Sequence, residues 1–482
     1  MQKLNNKIGI NIYTTFFLII LLFLSVVQPF KPIDDPDMFW HIETGNYILE
    51  NFSIPHNDVF SYFGIENNLP WIAHEWLSDV IFALIYNLGG YTALQFFPTI
   101  MLFFIFLLIH KKTKTEDTLE KYIWYFLSFL MIGFLSEIRA HMFSWLFCSI
   151  TIFVLFDFYN NKKNNLFLLP IISCLWVNMH GGSSSLIFLL IGAFLFVSLF
   201  NLKIGKITNI KQENKKTNKL FLILIISILT ALINPNGYKI LLYPFENMQD
   251  TLMLSVITEW HSPDFHTAEG LIIFIFLSVI VTALVTTKKE IKLIDFLLIG
   301  AFTYLSLKSI RQVVYLSIIA IPIIINYLPQ LFKVKSDKTI GNTIIASFVI
   351  LFSIFFVFTG IFGPKIEPNL FPSEQAMKKI EEISPKRMLN NYDWGGYFIK
   401  NLNQKEILPF IDGRADVYSK YTLQDYTNLM YLENGWEQIL DKYNFDCIVM
   451  TTNNLFTREV SKLSEWEINY SDELTTILIR KK

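Results

Sequence analysis

The sequence predicts a polytopic α-helical membrane protein, with about 11 transmembrane helices, that ends in a mixed α/β domain. Three observations lead to this fold class. The 482 residues are 52% hydrophobic and 17% charged, and the mean hydropathy of +0.41 is high for a soluble domain. Apolar runs recur along the first three-quarters of the chain. After Gly363 and Pro364 the pattern changes to short strands that alternate with amphipathic helices.

The first apolar run, from Ile8 to Phe30, has no small-residue cleavage site after it. We expect a retained span, because the apolar core of a signal peptide is shorter. Most later runs are about 15 to 22 residues long, and the shorter ones need neighbours to bury their ends, since a span needs about 20 residues. The predicted spans cover residues 9–30, 79–109, 122–136, 142–158, 166–180, 184–200, 220–234, 270–287, 293–307, 311–328 and 340–360.

Lysine and arginine concentrate in every second loop between these spans, which predicts that those loops are cytoplasmic. Examples are Lys3 with Lys7, Lys162 with Lys163, and the 203–219 loop. The chain is then a multi-pass protein of the plasma (inner) membrane with its N-terminus inside. The segments predicted to face the outside are 31–78, 137–141, 179–184, 235–269, 308–311 and everything after Gly360.

The change of pattern near Gly363 predicts two domains. Residues 1–362 form the transmembrane domain, which includes the first outer loop at 31–78, and residues 363–482 form an extracytoplasmic α/β domain of ordinary size. The predicted elements of this tail are strands at Arg387–Asn391, Ile407–Ile411, Cys447–Thr451, Glu467–Tyr470 and Thr475–Arg480, with helices at 373–383, 423–442 and 455–464.

Composition and missing motifs exclude several classes of function. A net charge of −1 makes nucleic acid an unlikely partner. The three cysteines, Cys148, Cys174 and Cys447, show no pairing pattern typical of a disulfide framework. The sequence has no phosphate-binding loop, dinucleotide fingerprint or zinc motif, so no soluble-type cofactor is expected.

Acidic residues follow the first span, where carboxylates close to a membrane are costly. Asp35 and Asp37 flank Pro36, and Asp34 precedes them. This cluster predicts the working end of a membrane enzyme. A structural role is the alternative: Asp37 opens a predicted helix at 38–52, and its side chain or that of Asp35 could cap that helix.

Other unusual polar residues also fall in the outer segments. Some have a structural alternative: His41 and His74 can be satisfied by hydrogen bonds, Arg139 and Arg311 at helix ends can contact lipid head groups, and the tail motif at 412–414 can be a turn with an internal ion pair. These candidates are His41, His74, Glu75, Arg139, His180, Glu259, Lys308, Arg311, Asp412 and Arg414.

The motifs resemble the GT-C superfamily of membrane glycosyltransferases. More narrowly, they resemble a bacterial group of that type with a first-loop Asp-Pro-Asp motif and a C-terminal Asp-Gly-Arg motif, and the match covers nearly the whole chain. The segments that carry the resemblance are Asp35–Gly45, Pro55–Tyr62, Trp71–Leu77, Asn234–Gly237, Glu259–Pro263, Asn391–Tyr397 and Asp412–Arg414.

The resemblance implies transfer of a sugar from a polyprenyl-phosphate-linked donor to an extracytoplasmic acceptor, which is a glycan, a lipid or a protein. Asp35 and Asp37 would then activate the acceptor or hold a divalent cation such as Mg²⁺ or Mn²⁺. Arg311 is favoured to bind the donor phosphate, with Arg139 and Lys308 as further candidates. Asp34, His41, His74, Glu75, His180, Glu259, Asp412 and Arg414 would line the pocket.

Other functions remain open at this stage. A polysaccharide polymerase or ligase would use a similar site. A non-catalytic protein that binds or transports a lipid-linked glycan would keep the basic residues but would not need Asp35 and Asp37. A scaffold for envelope assembly would act through the tail.

Overall fold

A computed structural model of the chain describes residues 32–113, 118–329 and 369–481 except Ser419, with scattered positions between 12 and 22 and between 343 and 367. The chain divides into two compact units. The first unit contains Gln95–Pro244 and the described part of Ile257–Gly363. The second unit contains Pro32–Leu94, Phe245–Val256 and the described part of Pro364–Lys482.

Most of the described chain is helical. The α-helices, in chain order, are α1 Asp37–Asn51, α2 Tyr62–Asn67, α3 Trp76–Lys112, α4 Leu119–Phe134, α5 His141–Tyr159, α6 Leu168–Met179, α7 Leu186–Val197, α8 Asn214–Ala231, α9 Lys239–Asn247, α10 Thr251–Val256, α11 Ala268–Thr286, α12 Leu293–Lys308, α13 Val313–Ile324, α14 Glu374–Ile383, α15 Gly395–Leu402, α16 Ala415–Tyr418, α17 Leu423–Met430, α18 Trp436–Tyr443 and α19 Leu455–Val460. The strands are β1 Leu202–Ile204, β2 Ile207–Asn209, β3 Ile291–Lys292, β4 Met388–Asn390, β5 Cys447–Thr451, β6 Trp466–Ser471 and β7 Thr475–Arg480.

Each predicted span between residues 79 and 328 coincides with one of these helices. Most of the predicted span at 9–30 and about half of that at 340–360 lie outside the described residues. Within the described chain, α3, α5 and α11 are long and apolar enough to cross a membrane. The helical character is confirmed, and the number of spans stays a prediction.

Two of the long helices differ in burial. In the most apolar 18-residue stretch of each helix, 72% of α5 is buried but only 28% of α11. Leu271, Phe274 and Val281 of α11 are exposed. A helix that is apolar all round needs either a protein interior or lipid around it. We therefore take α11 to face lipid and α5 to lie inside the helical unit, which supports a membrane location.

Helix α3 is interrupted at Gly89 and Gly90, where the backbone leaves helical geometry. Gly90 has φ of +61° with ψ of −155°, a conformation available almost exclusively to glycine. The single span predicted over 79–109 is therefore two helices joined by a glycine break.

The second unit contains a four-stranded sheet in the order β4-β5-β7-β6. Strands β4 and β5 are parallel, and the other pairs are antiparallel. The strand predicted at 407–411 is wrong, because only an isolated bridge between Met388 and Pro409 forms there. The single helix predicted over 423–442 is two helices, α17 and α18. Gly435, which precedes the first residue of α18, has φ of +90°. The mixed α/β character of the tail is confirmed.

The first outer loop and the tail share one hydrophobic core in the second unit. Phe60 and Trp71 from the loop pack in the same buried cluster as Phe410, Tyr418 and Ile448 from the tail. The domain division predicted at residues 362 and 363 stays a prediction. The packing adds that residues 32–94 cluster with the tail.

Candidate functional site

The carboxylate of Asp35 satisfies a backbone group at the start of α1. Asp35 is 6% exposed, and its Oδ1 accepts a hydrogen bond from the backbone N–H of Asp37 at 3.0 Å. The N-cap residue of α1 is Pro36, which makes no side-chain cap bond. The first N–H groups of a helix have no partner within the helix. Asp35 therefore has the structural role that the sequence offered as the alternative for Asp35 and Asp37.

Asp37 is placed differently. It is half-buried, and its Oδ1 accepts a hydrogen bond from the indole Nε1 of Trp40 at 3.1 Å. A β-carbon added at Gly413 would overlap this same oxygen. The carboxylate of Asp37 is thus fixed between one turn of α1 and the backbone of the Asp-Gly-Arg loop.

Two more glycines lie at close backbone contacts, one with the acidic motif and one within the tail. A β-carbon at Gly396 would overlap the carbonyl oxygen of Pro36, and one at Gly395 would overlap the carbonyl oxygen of Ile411. Three segments that are far apart in the sequence, at 35–37, 394–397 and 412–414, therefore meet at backbone contact. Any side chain larger than hydrogen at these glycines would force the segments apart.

Tyr392 lies in the electrostatic field of the same region. Burial raises the pKa of its hydroxyl, and the negative charges of Asp37 and Asp412 raise that pKa further. The hydroxyl stays protonated at neutral pH and can donate a hydrogen bond. The backbone N–H of Tyr392 donates to the hydroxyl of Tyr426 at 2.9 Å, which fixes the start of this turn.

Arg414 is the centre of a buried ion-pair network. Its Nε and Nη2 donate to the two carboxylate oxygens of Asp412 at 2.8 and 2.6 Å, and its Nη1 lies 2.8 Å from Asp58 Oδ1. The guanidinium lies 4.6 Å from the ring centroid of Trp71. Burial alone would lower the pKa of Arg414, but Asp412 and Asp58 outweigh it and raise that pKa. The internal ion pair foreseen for this motif is present, and contact of Asp412 and Arg414 with a pocket stays a prediction.

Three predicted pocket residues lie together near the start of α3. Nδ1 of His41 lies 2.6 Å from Asp79 Oδ1, and its Nε2 lies 3.8 Å from Glu75. Nε2 of His74 lies 3.6 Å from Glu75. Asp79 was not among the predicted residues, although it follows Glu75 by four positions and so lies on the same helix face.

The predicted phosphate-binding residues belong to the first unit. Nη1 of Arg139 donates to Glu259 Oε1 at 2.8 Å, and Arg311 contacts Glu259 Oε2 through Nε and Nη2. Lys308 is exposed at the end of α12. The structure thus brings Arg139, Arg311 and Glu259 together.

His180, the remaining predicted residue of the first unit, belongs to a polar cluster between helices. Its Nδ1 lies 2.7 Å from the hydroxyl of Ser144 and 2.8 Å from that of Ser183. The indole of Trp176 donates to Ser144 at 2.7 Å. In the second unit, Asp34 is half-buried. A cavity shared by the acidic and basic candidates stays a prediction.

A metal site at Asp35 and Asp37 also stays a prediction. Carboxylate oxygens are the ligands that Mg²⁺ and Mn²⁺ prefer. Oδ1 of each residue already accepts a protein hydrogen bond. Among the described residues, no third His, Cys, Asp or Glu completes a ligand group with them.

No protein-family model and no curated protein matches the sequence. Among solved structures, the fold is similar to the archaeal oligosaccharyltransferase AglB from Archaeoglobus fulgidus, determined in complex with an inhibitory peptide and a dolichol-phosphate. The TM-score is 0.58, and the match covers 90% of this chain and 69% of AglB at 13% sequence identity. A likeness at this identity shows the fold, which is GT-C-like.

Proposed function

We propose that this chain is a membrane glycosyltransferase that moves a sugar from a polyprenyl-phosphate-linked donor to an extracytoplasmic acceptor. The GT-C-like fold supports glycosyl transfer at a coarse level. The AglB structure contains a dolichol-phosphate and a peptide, which supports a lipid-linked donor and a separate acceptor for this chain. The apolar helices support its place in a membrane.

The observation that carries the proposal is the placement of Asp37. Its carboxylate does not serve as the N-cap of α1. It is half-buried and oriented by Trp40, and it lies against the glycine of the Asp-Gly-Arg loop. A general base needs a fixed carboxylate within reach of the proton that it removes. The geometry of Asp37 therefore suits a base better than that of Asp35, which is occupied with the backbone.

In the proposed reaction, an acceptor hydroxyl or amide attacks the anomeric carbon of the sugar, and the bond from that carbon to the phosphate oxygen breaks. Asp37 takes the proton of the acceptor as the new bond forms. The lipid phosphate leaves with the electron pair of the broken bond. Arg311 and Arg139 would stabilise the negative charge that develops on the leaving phosphate. A divalent cation, when held by Asp35 and Asp37, would supply further positive charge for the leaving phosphate.

A carboxamide at each acidic position separates catalysis from structure. In Asp37→Asn the amide oxygen can still accept the bond from Trp40, so we expect normal folding and a loss of transfer of about 100- to 10,000-fold. In Asp35→Asn the amide oxygen can still accept the bond from the backbone, so folding should be normal, and transfer should fall less than in Asp37→Asn because Asp35 would act only through the cation. Asp35→Ala, which removes that acceptor, should lower the free energy of unfolding by about 1 kcal/mol.

The measurement is transfer of radiolabelled sugar from the native lipid-linked pool in membranes with matched amounts of each variant. Full activity of Asp37→Asn would reject the catalytic assignment. Retained donor binding without any transfer in the wild type would favour the non-catalytic glycan binder or transporter. Formation of long chains from a lipid-linked primer would favour the polymerase or ligase.

A further inference from the structure

The two arginines assigned to the donor phosphate already hold an anion. Arg139 donates to one oxygen of the Glu259 carboxylate, and Arg311 contacts the other. Burial alone would raise the pKa of Glu259, but the two guanidinium groups outweigh it and lower that pKa. Glu259 is therefore ionised at neutral pH and occupies both arginines.

The surroundings suit an anion in general, not a carboxylate in particular. Arg139 lies two residues before α5 begins, and Arg311 lies two residues before α13 begins. Helix N-terminal ends carry partial positive charge, which adds to the charge of the two side chains. A phosphate group offers several oxygens and charge to the forked guanidinium donors, as the carboxylate does. Phosphate and Glu259 would therefore compete for the same donors.

The backbone next to Glu259 has its own anchors. The hydroxyl of Ser309 donates to the carbonyl oxygen of Glu259 at 3.0 Å, and the N–H of Ile310 donates to the carbonyl oxygen of His261 at 3.0 Å. Arg311 also lies over the ring of Trp260, 5.4 Å from its centroid. The loop and Arg311 therefore have contacts that do not involve the Glu259 carboxylate.

We propose that Glu259 is a built-in competitor that holds the two arginines until the phosphate of the lipid-linked donor displaces it. The inference rests on the proposed function, because it takes Arg139 and Arg311 as the donor-phosphate site. It makes Glu259 a specificity-determining residue. A lipid with an anionic phosphate brings negative charge to the two arginines in place of the carboxylate, whereas a neutral lipid alcohol brings none.

The inference predicts that a mutation at the binding site makes a lipid phosphate bind more tightly. Glu259→Gln keeps the size of the side chain but removes its charge, and charge-assisted hydrogen bonds are about twice as strong as neutral ones. The glutamine competes less well, so a lipid phosphate should bind about tenfold more tightly. A residue that contacts the donor favourably would give the opposite result, weaker binding.

The test uses the purified full chain in detergent, with farnesyl phosphate as the probe and farnesol as the uncharged control. The dissociation constant for farnesyl phosphate should fall in Glu259→Gln, and binding of farnesol should not change. Glu137→Gln is the matched control, because Glu137 lies 3.5 Å from Nε of Arg139 and its loss removes the same charge. The gain in affinity for farnesyl phosphate should be smaller in Glu137→Gln than in Glu259→Gln. Glu259→Asp keeps the charge on a shorter side chain. Its affinity for farnesyl phosphate should lie between those of the wild type and Glu259→Gln.

Unchanged or weaker binding of farnesyl phosphate in both Glu259 variants, with wild-type thermal unfolding, would overturn the inference. This outcome differs from failure of the proposed function. If Glu259→Gln binds the probe more tightly while no sugar transfer is found, the competitor role stands for a lipid-phosphate binder and the glycosyltransferase proposal falls. If sugar transfer depends on Asp37 but substitution of Glu259 does not change the binding of farnesyl phosphate, the inference is wrong and the glycosyltransferase proposal stands.

Discussion

At the scale of single residues, Arg311 combines a contact with Glu259 and a contact with the face of Trp260. A planar guanidinium can make both, whereas an ammonium group cannot reproduce the forked geometry. We expect Arg311→Lys to raise the KM for the lipid-linked donor about tenfold with little change in the unfolding temperature. Measurement of transfer rates over a range of donor concentrations checks this. Unchanged donor affinity in Arg311→Ala would move the role to Arg139 or Lys308, or end it.

Gly413 is the second position at which one residue decides the geometry. Its α-carbon lies against Asp37 Oδ1, and an added β-carbon would also lie 3.4 Å from Trp40 Nε1. We expect Gly413→Ala to displace the Asp37 carboxylate, with a loss of transfer and a cost of about 1 to 3 kcal/mol, typical of overpacking. Gly192→Ala is the control, because nothing lies within 4 Å of that position. Equal activity of the two variants would contradict the contact between Gly413 and Asp37.

The sequence could predict which residues matter at this scale better than what each one does. The cluster of three acids predicted a site. The roles of Asp35 and Asp37 differ because each accepts a hydrogen bond from a different N–H group, and residue spacing does not reveal these hydrogen bonds. Asp79 was missed because its partner, His41, lies in another helix. Glu259 was predicted as a pocket residue, and its pairing with Arg139 and Arg311 depends on contacts between distant segments.

At the scale of elements, the Arg414 network ties the first outer loop to the tail. Its three charged members are almost fully buried, and removal of the cation would leave Asp58 and Asp412 as buried charges without compensation. We expect Arg414→Leu to lower the free energy of unfolding by about 3 to 5 kcal/mol.

Glu66→Gln is the matched control for Arg414→Leu. Glu66 pairs with Arg387 at 3.0 Å and also joins the loop to the tail, but both side chains are partly exposed. An exposed pair of this kind contributes less than about 1 kcal/mol. Thermal unfolding of the full chain in detergent compares the two variants. Similar unfolding temperatures would show that the buried network does not hold the two parts together.

Elements that have a clear period were predictable, and those that depend on distant partners were not. Strands β5 and β7 consist of apolar and β-branched residues, except for Arg480 at the end of β7. The segment at 407–411 is also apolar, yet it pairs with a strand through a single bridge. The backbone N–H groups of Phe410 and Ile411 donate to the side-chain oxygen of Asn390 and not to a neighbouring strand. The break in α3 requires positive φ at Gly90, which hydropathy cannot reveal.

At the scale of the whole molecule, lysines from the loops predicted to be cytoplasmic lie at the ends of the helices. Nζ of Lys206 donates to the carbonyl oxygens of Val285 and Thr287 at the end of α11. Nζ of Lys289 donates to the carbonyl oxygen of Asn326 just beyond α13. Cations at helix C-terminal ends are favourable. These contacts fit the charge bias from which the orientation was predicted, and the orientation itself stays a prediction.

Outward exposure of the acidic motif and the tail is the claim on which a lipid-linked donor depends, and cysteine labelling in intact cells tests it most directly. Because residues 32–94 and the tail cluster in one unit, labels on the tail also report the side of Asp37. Suitable positions are Gln375 and Ser461 in the tail and the exposed Asn214 at the start of α8. The native cysteines are buried or half-buried, and the wild-type chain measures their background.

A membrane-impermeant thiol reagent should label cysteines at positions 375 and 461 in intact cells, and should label a cysteine at 214 only after the membrane is opened. Labelling of position 214 alone in intact cells would contradict this topology. It would place Asp35 and Asp37 in the cytoplasm and remove the reason for a lipid-linked donor.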